Sequence, residues 1–526
     1  MRKIAYLLAL GLIVLAAAGC GGGGGGAAGG DSSVVIGIQA EPTSLDPAQV
    51  TDYNSSRAAM DLYDNLVEFK DGSTELEPGL AADWDISEDG LEYTFYLRED
   101  IKFHDGTPFN ADAVKFNIDR QIDTEHPFHD TGEFAYSDFT FGMVKEVQVV
   151  DEYTVKFILN EPFAPFLGNI AMHSAAMSSP SAIEEHGKDI SQNPVGTGPY
   201  KFVSWEPGVE VVLEKNQDYW KYEPQIDKLI FRPIVEDQTR LTELESGNID
   251  FIVGILPDDL QRLKDNEDLL VAEQPGMHTW YLALNCQREP FDNVKVRQAA
   301  NYAINKKDIV DNILMGTGVE AKNILPPVIW SYTEDVQDYS YNPEKAKELL
   351  AEAGYEDGIE VDFYIPKSGS GMQQPVSMAT AIQSDLEAVG IKTNIQQVEW
   401  GTYLDKVFMP LEENDVLMHE MSWMGDNGDP DNFLYILLSS EQWPTAGFNE
   451  AFYKNTEVDK ILREARTLSD QDKRIEMYEE AQKLIMADSP LIVVDHETQI
   501  VAMKNNIKGF ELHPTGIFRF GKVTLE

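Results

Sequence analysis

The segment SWMGDNGDPDNFLY, Ser422 to Tyr435, sets three carboxylates within six residues (Asp426, Asp429 and Asp431) and flanks them with Trp423 and Phe433. Carboxylates at this density can chelate a hard cation, share acid and base roles, or neutralise a cationic ligand. Calcium chelation fails on spacing, because an EF-hand loop needs Asp or Asn at positions one, three and five and Gly at six. Counting from Asp426, positions three and five are Gly428 and Pro430; counting from Asp429, position six is Leu434. Asp429 and Asp431 also suit plain turn chemistry, since Asp and Asn side chains bond their own backbone.

Other chemistry is no better marked. His126 and His129 stand three apart, but Pro127 between them opposes a helix and no third ligand stands nearby. Neither a G-x-S-x-G elbow nor a G-x-x-x-x-G-K-[ST] loop is present, and Gly196-Thr197-Gly198 runs into Pro199 and Tyr200 rather than a dinucleotide fingerprint. Paired carboxylates for glycoside chemistry cannot be singled out among 90 acidic residues, so an exported hydrolase stays as a remote alternative. No catalytic constellation rises above the background, so the expectation from these residues is no enzyme chemistry, no cofactor and no resident metal.

The elements that must position the acidic stretch are those of an α/β protein. VVIGIQA from Val34 reads as an opening strand. LEYTFYLREDIKFHDG from Leu91 and VQVVDEYTVKFILNEPFAPFL from Val147 alternate apolar and polar residues around turn signals, as antiparallel ribbons do. Beyond residue 276 strands and helices alternate. Asn342 can cap a helix that Pro343 opens and Gly354 ends. A strand VDFYIP, a helix MATAIQSDLEAVG, a strand IKTNIQQVEW and a strand DVLMHEMSW follow. Two helices, near Val458–Leu468 and Asp470–Asp488, precede a buried strand PLIVVDH. Asp426 thus begins where a strand stops, the end at which open α/β sheets keep their ligands.

At 526 residues, two or three domains are expected. The formal charge of −49, from 90 acidic against 41 basic residues, excludes nucleic acid as a partner. It suits a salty or otherwise unusual habitat and favours cationic ligands at long range. Residues 1–20 form an address: a cationic MRK, an apolar run and Gly19-Cys20. LAAAGC resembles a lipoprotein lipobox, with Ala17 where an aliphatic residue is usual, so Cys20 is the lipidation site and a plain signal peptide cut near Ala18 is the alternative. The glycine-rich 21–30 segment is a flexible tether. With Cys20 acylated, Cys286 has no intrachain partner.

Several long stretches together carry a resemblance: YTFYLREDIKFHDGTPFNADAVKFNIDR, NPVGTGPYKF, YLALNCQREPFDNVKVRQAANYAINKKDIV, YNPEKAKELLAEAG and SWMGDNGDPDNF. They are similar to family 5 extracellular solute-binding proteins, the peptide and nickel receptors of bacterial ABC importers, and most of all to its dipeptide receptors. The resemblance implies a type II-like periplasmic-binding-protein fold, two-lobed and hinged, with an additional β-rich domain. It implies a discontinuous first lobe from 31–67, 184–275 and 486–526, an extra domain at 68–183 and a second lobe at 276–485. Asp426 matches the residue that receives a peptide's α-amine, with Trp423 and Trp400 bordering the pocket. Thr51, Asp52 and Tyr53 match a loop whose backbone pairs with the peptide as an added strand. The family's carboxylate-binding Arg falls on Gly369, which leaves Lys367 as the nearest cation for the ligand's other end. The implied partners are a short peptide, the ABC permease subunits and the membrane, reached through the lipid, with the protein a monomer outside the cytoplasm. A nickel-chelate, haem or oligosaccharide receptor on the same scaffold is the alternative ligand reading, and a sensory or adhesion lipoprotein is a third.

Overall fold

The computed structural model describes residues 32–526, Ser368 and Ser370 excepted. The address segment, Cys20 and the glycine tether lie outside the described residues. Ser33–Ile38 opens the first sheet with Val34, Ile36 and Ile38 fully buried, flanked in parallel by Lys228–Pro233 and Phe251–Val253. Glu210–Lys215 and Tyr200–Glu206 extend this sheet as antiparallel neighbours.

The second sheet is built on His278–Leu284, buried at every position, so that after His278 and Thr279 it reads as the apolar run Trp280–Leu284 rather than an alternation. Met418–Met424 pairs with it antiparallel and with Ile359–Pro366 in parallel, and Ile391–Val398 forms the far edge. Helices Pro343–Glu352 and Pro375–Ala388 pack on this sheet through Ala346, Leu350, Met378 and Ile382. Asn342 caps the first of them by accepting from the Lys345 N–H at 3.0 Å, and Gly354 takes φ +87° beyond its end, as expected.

A single long strand, Leu491–Lys504, joins the two sheets. Its first half pairs with His278–Leu284, and from Thr498 onward it pairs with Leu269–Pro275 and Phe251–Val253. The chain therefore passes between sheets within this strand, near Glu497, and not at residue 486 as expected. The other crossing is Gly276, where a Cβ would meet Gln499 Nε2 at 2.8 Å, so the two crossings lie side by side and leave no room for a side chain.

The 68–183 segment holds a four-stranded antiparallel sheet in the order Ala81–Ile86, Glu92–Leu97, Thr154–Leu159, Val144–Asp151. Helix Ala111–Ile122 covers it through Val114 and Ile118. The ribbon expected at IKFHDG is reduced to one bridge, Lys102 to Pro108, because the turn Asp105–Thr107 closes on its own side chains.

Candidate functional site

Strand Met418–Met424 ends against Gly425, whose N–H donates to the Met277 carbonyl at 2.9 Å. A Cβ at Gly425 would lie 2.2 Å from Phe433, so the chain can turn there only without a side chain. The turn that follows is held by its own polar side chains: Asn427 accepts from the Asp429 N–H at 3.0 Å, and Asp429 accepts from the Asp431 N–H at 2.9 Å. The other ends of these aspartates are engaged as well. Asp429 pairs with buried Arg474 at 2.7 Å, and Asp431 faces Arg466 at 3.4 Å. Two of the three carboxylates are therefore structural, tying the turn to the helix Gln471–Asp488 and to the residue just after helix Thr456–Ala465.

Asp426 is the exception. It accepts a hydrogen bond from the Tyr136 hydroxyl at 3.3 Å and has no ion pair among the described residues. Burial pushes its carboxyl up to about 6, with the Tyr136 bond pulling weakly the other way. It adjoins a cavity of about 140 Å³ lined also by Glu68, His173, His513, Phe518 and Arg519. The 68–183 segment holds the turn from the opposite side: Asn427 donates to the Asn169 side chain at 2.7 Å, and Gly428 packs on Thr74.

Trp423 is half-buried and donates its indole N–H to Asn432 at 2.7 Å, so its ring is fixed beside the turn. Trp400 begins the helix Trp400–Val407 instead of ending a strand, and it stacks on Tyr403 with ring centroids 5.8 Å apart. Its ring lies on Gly369, where a Cβ would be 2.4 Å from the indole. Gly369 thus makes room for an aromatic wall, and no side chain of any kind fits there while Trp400 keeps this place. Lys367 does not turn inward: it is 53% exposed and pairs with Glu399 at 2.8 Å.

On the first lobe, Asp52 caps the helix Tyr53–Ala59 through the Ser55 N–H at 3.0 Å and the Ser55 hydroxyl at 2.6 Å. Only Thr51 and Asp52 precede the helix, so Tyr53 cannot offer extended backbone as the added-strand expectation required. Its side chain contributes instead. The Tyr53 hydroxyl is buried without a hydrogen-bond partner, and burial followed by the Asp426 charge pushes the phenol well above its usual range. One turn on, Arg57 lays its guanidinium 5.1 Å from the Tyr53 ring centroid.

Sequence reasoning placed Asp426 and Trp423 but missed Tyr136 and Arg57. Tyr136 is 290 positions from its partner and carries no local signal. Arg57 was within reach, since Asp52 followed by Ser55 is a helix start, and i, i+4 spacing puts Tyr53 and Arg57 on one face.

Comparison with known proteins agrees with this architecture. The model for bacterial extracellular solute-binding proteins, family 5, matches residues 75–445. Heme-binding protein A of Haemophilus influenzae is 38% identical over 504 residues, covering 92% of this chain and 91% of its own. The dipeptide-binding protein of Escherichia coli is 37% identical over 500 residues, covering 90% and 91%. The solved structure of DppA from Helicobacter pylori in complex with the peptide STSA superposes with a TM-score of 0.78 at 35% identity, covering 94% of this chain and 99% of that one. With a family match of this length and relatives of this identity along nearly the whole chain, the protein belongs to the bacterial extracellular solute-binding proteins, family 5.

Proposed function

We propose that this protein captures short peptides by their free α-amine in a cleft between its lobes and hands them to the permease of an ABC importer, making and breaking no bond. The observation that carries this reading is Asp426, a largely buried carboxylate without a cationic partner among the described residues, in a turn whose other aspartates are paired. A buried unpaired carboxylate is costly, and a ligand ammonium supplies the missing charge. The contact is a charge-assisted hydrogen bond, contributing about 1.5–3 kcal/mol. Tyr136 helps to aim the carboxylate, Trp423 and Trp400 wall the ligand, and the Thr51 backbone bonds its main chain, the Asp52 carbonyl being taken by Ser56. The peptide-binding relatives point the same way.

In this reading the closed, ligand-bound form is what the permease recognises, through the ligand's preference for the closed state. The protein acts outside the cytoplasm as a monomer, tethered to the membrane by lipid on Cys20 through the glycine-rich 21–30 segment.

The test is calorimetric titration of full-length protein, stripped of ligand by unfolding and refolding, with Ala-Ala and N-acetyl-Ala-Ala. Ala-Ala is expected to bind, and acetylation and Asp426→Ala each to weaken it tenfold or more. Haemin and nickel–histidine titrated in parallel cover the relatives that carry other ligands. Heat from either of these and none from the peptides would overturn the proposal.

A further inference from the structure

Peptide capture at Asp426 accounts for one end of a zwitterion only. The two second-lobe positions expected to serve the carboxylate end do not reach it among the described residues: Trp400 fills the space over Gly369, and Lys367 is turned away to Glu399. Resting on the peptide reading, we propose that Arg57, on the first lobe, holds the ligand's C-terminal carboxylate.

Arg57 is 8% exposed, and it has no carboxylate within ion-pairing distance among the described residues. Its Nε donates to the Gly516 carbonyl at 3.0 Å, which fixes the plane of the guanidinium. Phe518 and Tyr53 hold that plane from two sides, with centroids 5.2 and 5.1 Å away. The two terminal nitrogens make no hydrogen bond within the described chain, and neither is among its fully buried unpartnered atoms. They therefore remain open to accessible space as a planar pair of donors, the geometry that takes a carboxylate in two parallel bonds.

Tyr53 places this cation relative to the amine site. Arg57 lies 5.1 Å from the Tyr53 ring centroid, the Tyr53 hydroxyl is buried and unpaired among the described residues, and the Asp426 charge acts on the same phenol. One tyrosine is thus within electrostatic reach of a negative and a positive group, as the two ends of a short zwitterion require. The two anchors also belong to different lobes, since Asp426 follows a second-sheet strand and Arg57 sits on a helix packed on the first sheet. A ligand bonded at both ends then bridges the seam, and a ligand with one free end does not.

The experiment compares Ala-Ala with Ala-Ala-amide on the stripped full-length protein, its Arg57→Gln and Arg57→Lys variants, and N-acetyl-Ala-Ala as the amine control. Wild type is expected to prefer the acid by about tenfold to a hundredfold. Arg57→Gln should erase that preference by weakening the acid alone, Arg57→Lys should recover part of it, and both should stay sensitive to acetylation. Arg57 also packs between two rings, so a readout without a variant accompanies these: protection of Arg57 from butanedione, followed by mass spectrometry. Ala-Ala should protect it and the amide should not. Equal binding of acid and amide by wild type, an unchanged preference in both variants, or equal protection by the two peptides would each overturn the assignment while leaving the amine site standing. Failure of every peptide to bind wild type would overturn both readings together.

Discussion

Burial holds the Asp426 carboxyl near 6, against an ordinary 3.8, and this acts in opposite senses on the empty and the loaded protein. In the empty protein the folded state binds the proton more tightly than the unfolded chain does. The penalty for burying the charge is therefore absent below about pH 4, grows between 4 and 6, and is complete above 6. Asp426→Asn removes it, and the empty protein should gain about 1–2 kcal/mol at pH 7.5 and nearly nothing at pH 4, as read by urea unfolding. That figure is discounted because the side chain keeps partial exposure to the cleft. Ligand binding needs the ionised form, so affinity for Ala-Ala should fall by up to tenfold per pH unit below about 6 and be flat above it. The asparagine variant should bind poorly and show no such slope. A residue whose replacement stabilises the fold while abolishing binding is retained for the ligand, not for the core. This aspartate was singled out by the resemblance of its motif, turn chemistry accounting only for its neighbours Asp429 and Asp431. Its partner Tyr136 was not, since long-range pairing leaves no periodicity to read.

The acidic turn works as an element only because both flanks are pinned. Asp429 and Arg474 are buried together, and removing one partner strands the other's charge. Asp429→Ala should cost about 3 kcal/mol in chemical unfolding. It should also weaken Ala-Ala binding although Asp429 touches no ligand, because the turn that aims Asp426 loses its tie. Loss of stability with undiminished affinity would show that the turn keeps its shape unaided. Regular elements were read well where caps and breakers punctuate them, as at Asn342, Pro343 and Gly354. They were misread where tertiary contacts decide. Trp400 looks like a strand residue from its aromatic bulk, yet packing on Gly369 and Tyr403 makes it the first residue of a helix. Tyr53 was expected in a loop from the resemblance alone, whereas Asp52 caps a helix that starts at Tyr53.

For the molecule as a whole, 90 acidic residues against 41 basic ones impose a self-repulsion that no single contact relieves. Many basic side chains are already committed to nearby acids, as in the exposed pairs Lys345–Glu348, Lys307–Asp311 and Lys295–Glu352. Such pairs contribute little individually, so the excess negative charge dominates the salt response. Thermal midpoints should rise between dilute buffer and molar KCl, since screening weakens repulsion more than it weakens the short pairs. A midpoint that stays level or falls would remove the link between composition and saline conditions. The two-lobed plan was legible only through long motifs matched together. Composition and periodicity alone give an α/β chain with a β-rich insertion, and they cannot show that the strand after Pro490 is shared between both sheets.

That shared strand sets a rule for the chain's own synthesis. Neither sheet can close until Leu491–Lys504 is available: the first needs it beside Phe251–Val253, the second beside His278–Leu284. Ser33–Ile38 has both of its own neighbours by Val253, yet the next position in its sheet, beside Phe251–Val253, is filled by a strand that follows the whole second sheet in the chain. The four-stranded sheet within 68–183 needs no such partner and can form early, whereas the two larger sheets stay open along their seam until the ribosome has made the shared strand.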